Sequence, residues 1–125
     1  MTTRHPPWSE AENAALVALY FAMLDYVGFG VAYNKAAMIR GAQNSHAGPI
    51  DSGLNTAALK ARSKQSIEFK LMNATAAHRD LAPEAETMHS HGYRAMPNYQ
   101  AALKDAMRAE IEYRKDAELQ RRHVS

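Results

Sequence analysis

The side chains best placed to do chemistry in this sequence are its histidines and a run of lysines and arginines near the middle of the chain. Met88-His89-Ser90-His91 carries a His-x-His pair, and His78 and Asp80 stand a few residues earlier. Alternate histidines in a loop can share a metal, with His78 on the preceding helix as a third ligand. No spacing fixes the carboxylate, however, and no His-Glu-x-x-His occurs, so a polar surface loop is the competing reading and no cofactor is expected. Two carboxylate pairs, Glu10 with Glu12 and Glu84 with Glu86, also invite attention. The first belongs to the opening turn of a helix, where acids complement the dipole. The second sits in an acidic loop, and neither has a visible reason for a raised pKa, which acid–base catalysis would need. Ser66 and Lys70 have the i, i+4 spacing that would mimic a Ser–Lys dyad. There is no Walker-type loop and no Gly-x-Gly-x-x-Gly. The chain has no cysteine, which rules out disulfides, Cys-zinc sites, iron–sulfur clusters and thiol nucleophiles. The expectation is a protein that is not an enzyme.

The cations say more. Formal net charge is only +2, yet residues 32–79 hold Lys35, Arg40, Lys60, Arg62, Lys64, Lys70 and Arg79 against Asp51 and Glu68. Seven cations against two acids leave a local excess of five. Within that window, Arg62–Asn73 reads as a helix with a marked start. Ser63 is its N-cap, and Ile67, Leu71 and Ala74 fall at i, i+4, i+7, with Phe69, Met72 and Ala76 beside them as one wide buried face. Lys64, Gln65, Glu68, Lys70 and Asn73 are left outside. Arg62 and Lys64 flank the helix N-terminus, where free N–H groups and the dipole suit a phosphate. The plainer alternative is an ordinary core helix with a solvated outer face.

Several blocks share an order. Trp8-Ser9-Glu10-Ala11-Glu12-Asn13 is followed by Tyr20-Phe21-Ala22-Met23-Leu24 and Tyr33-Asn34-Lys35-Ala36. Then come Arg62–Asn73, Asn73-Ala74-Thr75-Ala76-Ala77, and Gly92-Tyr93-Arg94-Ala95-Met96-Pro97-Asn98-Tyr99-Gln100. In this order they resemble the helical N-terminal head domain of McrA-like HNH restriction endonucleases, and of related bacterial proteins carrying the NO VEIN-type C-terminal module. The likeness spans roughly residues 8 to 103 and accounts for Ser66 and Lys70 within its central motif. It departs from the family pattern at Asn73-Ala74-Thr75-Ala76 and in an apparent insertion over 44–55, and no nuclease motif occurs within these 125 residues. A looser likeness, Trp and acids at the first helix with Arg62-Ser63-x-x-Ser66-Ile67-x-x-Lys70 opening a later one, is similar to Myb/SANT-type trihelical modules, whose later helix enters the DNA major groove.

These resemblances and the basic window imply a DNA-binding domain connected with restriction or phage defence, with double-stranded DNA as partner. Lys35, Lys60, Arg62 and Lys64 are then expected at phosphates, and Gln65, Glu68 and Lys70 near base edges. The alternative is a protein–protein module that docks onto or inhibits a larger nuclease or defence protein. Its contacts would come from the charged final helix, with Arg114, Lys115 and Arg121, which could also support a homodimer. A small metal-dependent enzyme built on His78, His89 and His91 is the third reading.

The elements that must position these residues follow from local signals. Ser9-x-x-Glu12 is a capping box, and its helix runs to about Tyr26 with Leu16, Leu19, Tyr20, Met23, Leu24 and Val27 as its apolar side. Gly28 and Gly30 end it. Asn34 caps a second helix reaching about Asn44, with Ala36, Ala37 and Ile39 inward. A loop over 45–54 and a short helix from Asn55 to Ala61 lead into the central helix. Pro83, Gly92 and Pro97 bound a polar stretch, in which Tyr93 and Tyr99 pack the Gly92–Gln100 segment back onto the central helix. Asn98 caps the last helix, whose inner stripe is Tyr99, Leu103, Ala106, Met107 and Ile111. Beyond Ile111 it is almost all charged, and it should project from the core, supported by pairs such as Glu110–Arg114 and Glu118–Arg122.

The expected fold is all-α: a single compact domain of four main helices plus one short helix, with a helix-turn-helix-like central pair. Its core draws on Leu16, Leu19, Met23, Ile39, Leu59, Ile67, Leu71, Tyr99, Leu103 and Met107. Residues 1–7 form a flexible arm, 8–111 the helical domain and 112–125 the charged extension. At 125 residues and 46% apolar the chain can bury a real core. It shows no secretory h-region and no run long enough to span a membrane, so a cytoplasmic location is expected.

Overall fold

The computed structural model describes residues 7–30, 32, 34–43 and 57–124. Among them the protein is all-helical, with no strand. Helix α1 spans Glu10–Gly28, α2 Lys35–Gln43, α3 Lys64–Leu81 and α4 Ala101–Val124, and 3₁₀ turns cover Ala57–Ala61 and His89–His91. The expected short helix is thus a single 3₁₀ turn, joined to α3 through Arg62 and Ser63. The 45–54 loop, Tyr33, and residues 1–6 of the expected arm lie outside the described residues.

Helix starts form where the side chains dictate. The Ser9 hydroxyl accepts the Glu12 N–H at 3.1 Å while the Glu12 carboxylate accepts the Ser9 N–H at 2.9 Å, closing the capping box. Asn34 Oδ1 accepts the Ala37 N–H at 3.1 Å, and the Ser63 hydroxyl accepts that of Ser66 at 3.1 Å. At the end of α1, the Phe29 N–H reaches the Asp25 carbonyl and the Gly30 N–H that of Val27. Gly30 takes a φ of +70°, a conformation a side chain would oppose.

Helix α1 is the centre of the molecule. Its buried residues, among them Leu16, Val17, Leu19, Tyr20, Phe21, Met23 and Tyr26, run nearly all round rather than along one side. A helix that is apolar on all faces belongs inside, and α2, α3, α4 and the first 3₁₀ turn all pack against α1. Nine of the ten expected core residues are buried, and the tenth, Tyr99, is half-buried.

Four expectations about packing need correction. Ala37, expected inward on α2, is exposed, and Met38 is buried beside Ile39 instead. Phe69 is 56% exposed, because at about 100° per residue it lies nearly opposite Ile67 on the helix. Asn98 is not the cap of α4: its φ is +27°, and the helix starts at Ala101, with the Gln100 carbonyl accepting the first N–H groups. The 84–91 stretch is not purely a surface loop, since Thr87 and Met88 are buried and Met88 belongs to the core.

The chain after Gly92 is tied along α3. The Met96 N–H donates to the Met72 carbonyl at 3.0 Å, Asn73 Nδ2 donates to the Met96 carbonyl at 2.9 Å, and the Tyr99 hydroxyl donates to Asp80. Tyr99 therefore packs on α3 as expected, whereas Tyr93 sits beside Lys35 of α2. The Glu110–Arg114 and Glu118–Arg122 pairs both form. Yet α4 stays in contact past Ile111: Arg114 lies 4.2 Å over the Phe21 ring and bonds Asp25 at 3.4 Å.

Candidate nucleic-acid interface

Two coverings decide what α3 can offer to a partner. Its inner face is taken by the core through Ile67, Leu71, Ala74 and Ala77. Its outer face is crossed from Met72 onward by the segment bonded at Met96 and Tyr99. The outer face of the first half stays open. There Trp8, Ser63, Gln65, Ser66, Phe69, Lys70 and Asn73 line a shallow recess of about 370 Å³. It combines two aromatic rings, two hydroxyls, two amides and one ammonium group.

Of the residues expected at DNA, the recess brings together Gln65 and Lys70. Lys60, in the 3₁₀ turn before α3, and Lys64, the first residue of α3, are both exposed and do not line the recess. Lys64 lies 3.9 Å from Glu68, a one-turn surface pair. Lys70 sits with its ammonium 5.3 Å from the Trp8 ring, and burial first, then the Arg62 charge, lowers its pKa. Lys35 is held elsewhere, its ammonium 5.6 Å from the Tyr93 ring.

Arg62 has a different role from the expected phosphate contact. Its side chain is only 7% exposed. The guanidinium meets Glu12 through two hydrogen bonds, Nε to Oε2 and Nη2 to Oε1, and Nη2 also donates to the Pro7 carbonyl at 3.1 Å. The Trp8 ring lies 4.9 Å from its Cζ. The Arg62 bond holds Glu12 well below the usual carboxylate range, at about 2. This cluster joins the start of α1 to the start of α3 and fixes the recess between them. The acid of the capping box thus serves twice, which only its position 50 residues away from Arg62 in the chain conceals.

Pairing also thins the basic window. Arg62 and Arg79 are matched by two acids outside residues 32–79, Glu12 of α1 and the adjacent Asp80. Counting those two acids lowers the excess from five to three.

The three histidines part company. His89 Nδ1 faces the Tyr93 carbonyl at 3.3 Å, and His91 Nε2 faces Glu86 at 3.2 Å. His78 is buried, with Nδ1 2.7 Å from the Tyr20 hydroxyl. Among the described residues no group of three potential metal ligands stands together, so the three-histidine centre is not assembled. At Tyr20 the phenol oxygen accepts the Met88 N–H at 3.2 Å. Tyr20 is buried, and among the described residues the acceptor within reach of its own proton is His78 Nδ1, an arrangement that puts the imidazole proton on Nε2. Burial, then the charge of Arg114, pushes His78 down to about 4, so it is neutral at pH 7. His78 is a metal-ligand candidate by sequence. Its phenol partner, 58 residues away, carries no local signal.

Comparison with protein-family models, curated proteins and solved structures finds no match.

Proposed function

We propose that the protein is a non-catalytic DNA-binding domain that presents the open first half of α3 to duplex DNA, a reading supported by the resemblance of its sequence to restriction and phage-defence head domains. The observation that carries this reading is the exposure of Phe69 on an uncovered helical face, between Gln65 and Asn73 and flanked by lysines. A single uncovered helix face suits a major groove, with its side chains reaching base edges. Lys60 and Lys64 serve phosphates, Gln65 reads a base edge, and Phe69 packs against a thymine methyl or a base. Lys70 contributes from the recess, while Arg62 supports the surface without touching DNA. Glu68 balances Lys64 and accepts from a base amine.

The test is fluorescence anisotropy with a labelled duplex of about 20 base pairs across a salt series. Binding should weaken steeply with salt, and Lys60→Ala and Lys64→Ala should each lower the salt slope by about 1. Phe69→Ala should weaken binding while leaving that slope unchanged. Absence of binding at low salt, or binding indifferent to all three substitutions, overturns the proposal. A second reading has support from the same ring. An exposed phenyl beside a paired Lys64–Glu68 also fits a protein surface, and a head that docks onto a larger nuclease or defence protein would bind through Phe69 with little salt dependence.

A further inference from the structure

A second concavity lies away from the α3 recess, where α4 passes α1 and the end of α3. It is a groove of about 480 Å³ lined by Phe21, Leu24, His78, Ile111, Lys115 and Leu119, with Arg114, Arg122, Glu86 and Glu118 around it. That volume falls within the roughly 300–1,000 Å³ of small-molecule sites. The walls are hydrocarbon: a phenyl ring and three aliphatic side chains. Leu119 is 62% exposed, an apolar side chain left open at the rim.

The polar groups in this groove are arranged unequally. Arg114 is committed to Asp25, to Glu110 and to the face of Phe21. Glu118 is matched by Arg121 and Arg122, and Glu86 by His91. Lys115 carries no ion pair among the described residues. His78 is 4% exposed, and its Nδ1 edge is turned to Tyr20, so the edge bearing Nε2 is the one left for the groove. Nε2 carries the proton, has no partner among the described residues, and is not among the polar atoms sealed from solvent. A donor met by water alone can take a ligand oxygen in its place, and Lys115 lines the same groove.

We propose that this groove binds a small amphipathic monocarboxylate, its hydrocarbon body against Phe21, Leu24, Ile111 and Leu119 and its carboxylate accepting from His78 Nε2–H and paired with Lys115. The side chains around the groove sum to one positive charge, Arg114, Lys115 and Arg122 against Glu86 and Glu118, and Lys115 is the one of these cations with no ion pair among the described residues, so an anion is favoured. A carboxylate also supplies the two acceptor oxygens that a neutral imidazole N–H and an ammonium require. This site is independent of the DNA reading, since it shares no side chain with the α3 recess.

The probes are hexanoate, octanoate and decanoate, with octan-1-ol as the uncharged control, titrated into the whole protein below the micellar range. Affinity should rise about fourfold per buried methylene across the series. Octanoate, but not octan-1-ol, should move the His78 Nε2–H signal in the ¹⁵N–¹H spectrum. Lys115→Glu should weaken octanoate about tenfold and leave octan-1-ol unchanged, and Leu119→Glu should weaken both. Both substituted side chains are exposed, so neither variant threatens the fold. Octanoate binding no tighter than octan-1-ol, a silent His78 signal, or indifference to Lys115→Glu would each overturn the proposal. So would sedimentation showing a dimer that Leu119→Glu dissociates, because a second copy would then be the occupant.

Discussion

Arg62 offers the most direct test of how this fold is held. Replacing it with alanine removes two hydrogen bonds to Glu12, one to the Pro7 carbonyl, and a cation from the face of Trp8. With the partner side chains 7% and 14% exposed, Glu12 would be left largely desolvated without its counter-charge. Removing one member of such a pair costs about 3 kcal/mol, and the ring contact adds about 0.5–1 kcal/mol. The sum, roughly 3–4 kcal/mol, is a large share of the about 5–15 kcal/mol typical of a domain. For a chain of this size it corresponds to a fall in Tm of roughly 10–15 °C. Trp8 is the one tryptophan, so its fluorescence reports this cluster while circular dichroism at 222 nm reports the helices. The pH dependence has a defined sign. The unfolded carboxylate takes its proton near 4.5 and the folded one at about 2, so the unfolded state binds more protons between them. The contribution of Glu12 is complete above about pH 4.5 and is lost as pH falls toward 2. Urea titrations from pH 7 to pH 3 should therefore show a loss in the wild type that Glu12→Gln largely removes. Arg62→Ala within about 1 kcal/mol of wild type at pH 7 would refute the cluster as a fold determinant and return Arg62 to the DNA-contact candidates.

Further outcomes follow from the same geometry. Tyr20→Phe should cost about 1–3 kcal/mol, because it strips the partner from His78 Nδ1 and from the buried Met88 N–H; chemical denaturation measures it. His78 should resist protonation in an NMR titration until about pH 4. Since its folded pKa lies below the ordinary 6.5, its contribution is complete above that value and is lost as pH falls toward 4. Phe69→Ala should leave stability within about 0.5 kcal/mol of wild type, so that any loss of DNA affinity is read at the surface alone. Asn73→Ala should cost about 1 kcal/mol and raise amide exchange at Met96, as the tie from the 93–100 segment to α3 is cut.

Much of the fold could be read locally. Ser9 with Glu12, Asn34, and Ser63 mark three helix starts, because capping is a contest among groups within one turn. Leu16, Ile67, Leu71, Leu103 and Met107 declare themselves by helical spacing, and the same spacing carried the signal that Phe69 points away from Ile67. The sequence by itself therefore determined the helical class, most helix boundaries and the centre of the core, whereas Val17, Phe21, Tyr26, Met38 and Met88 join that core only through tertiary packing. The tertiary structure decided which charged and polar groups remain available. Arg62 turns inward because α1 brings Glu12 to it across 50 residues, and His78 becomes neutral because Tyr20 meets it across 58. The later half of α3 is closed by a segment bonded to it at Asn73 and Asp80, which leaves only its first half as a candidate surface. Helix starts and apolar stripes are written in neighbouring residues, whereas the charge and exposure of a side chain depend on whatever distant group packing brings beside it.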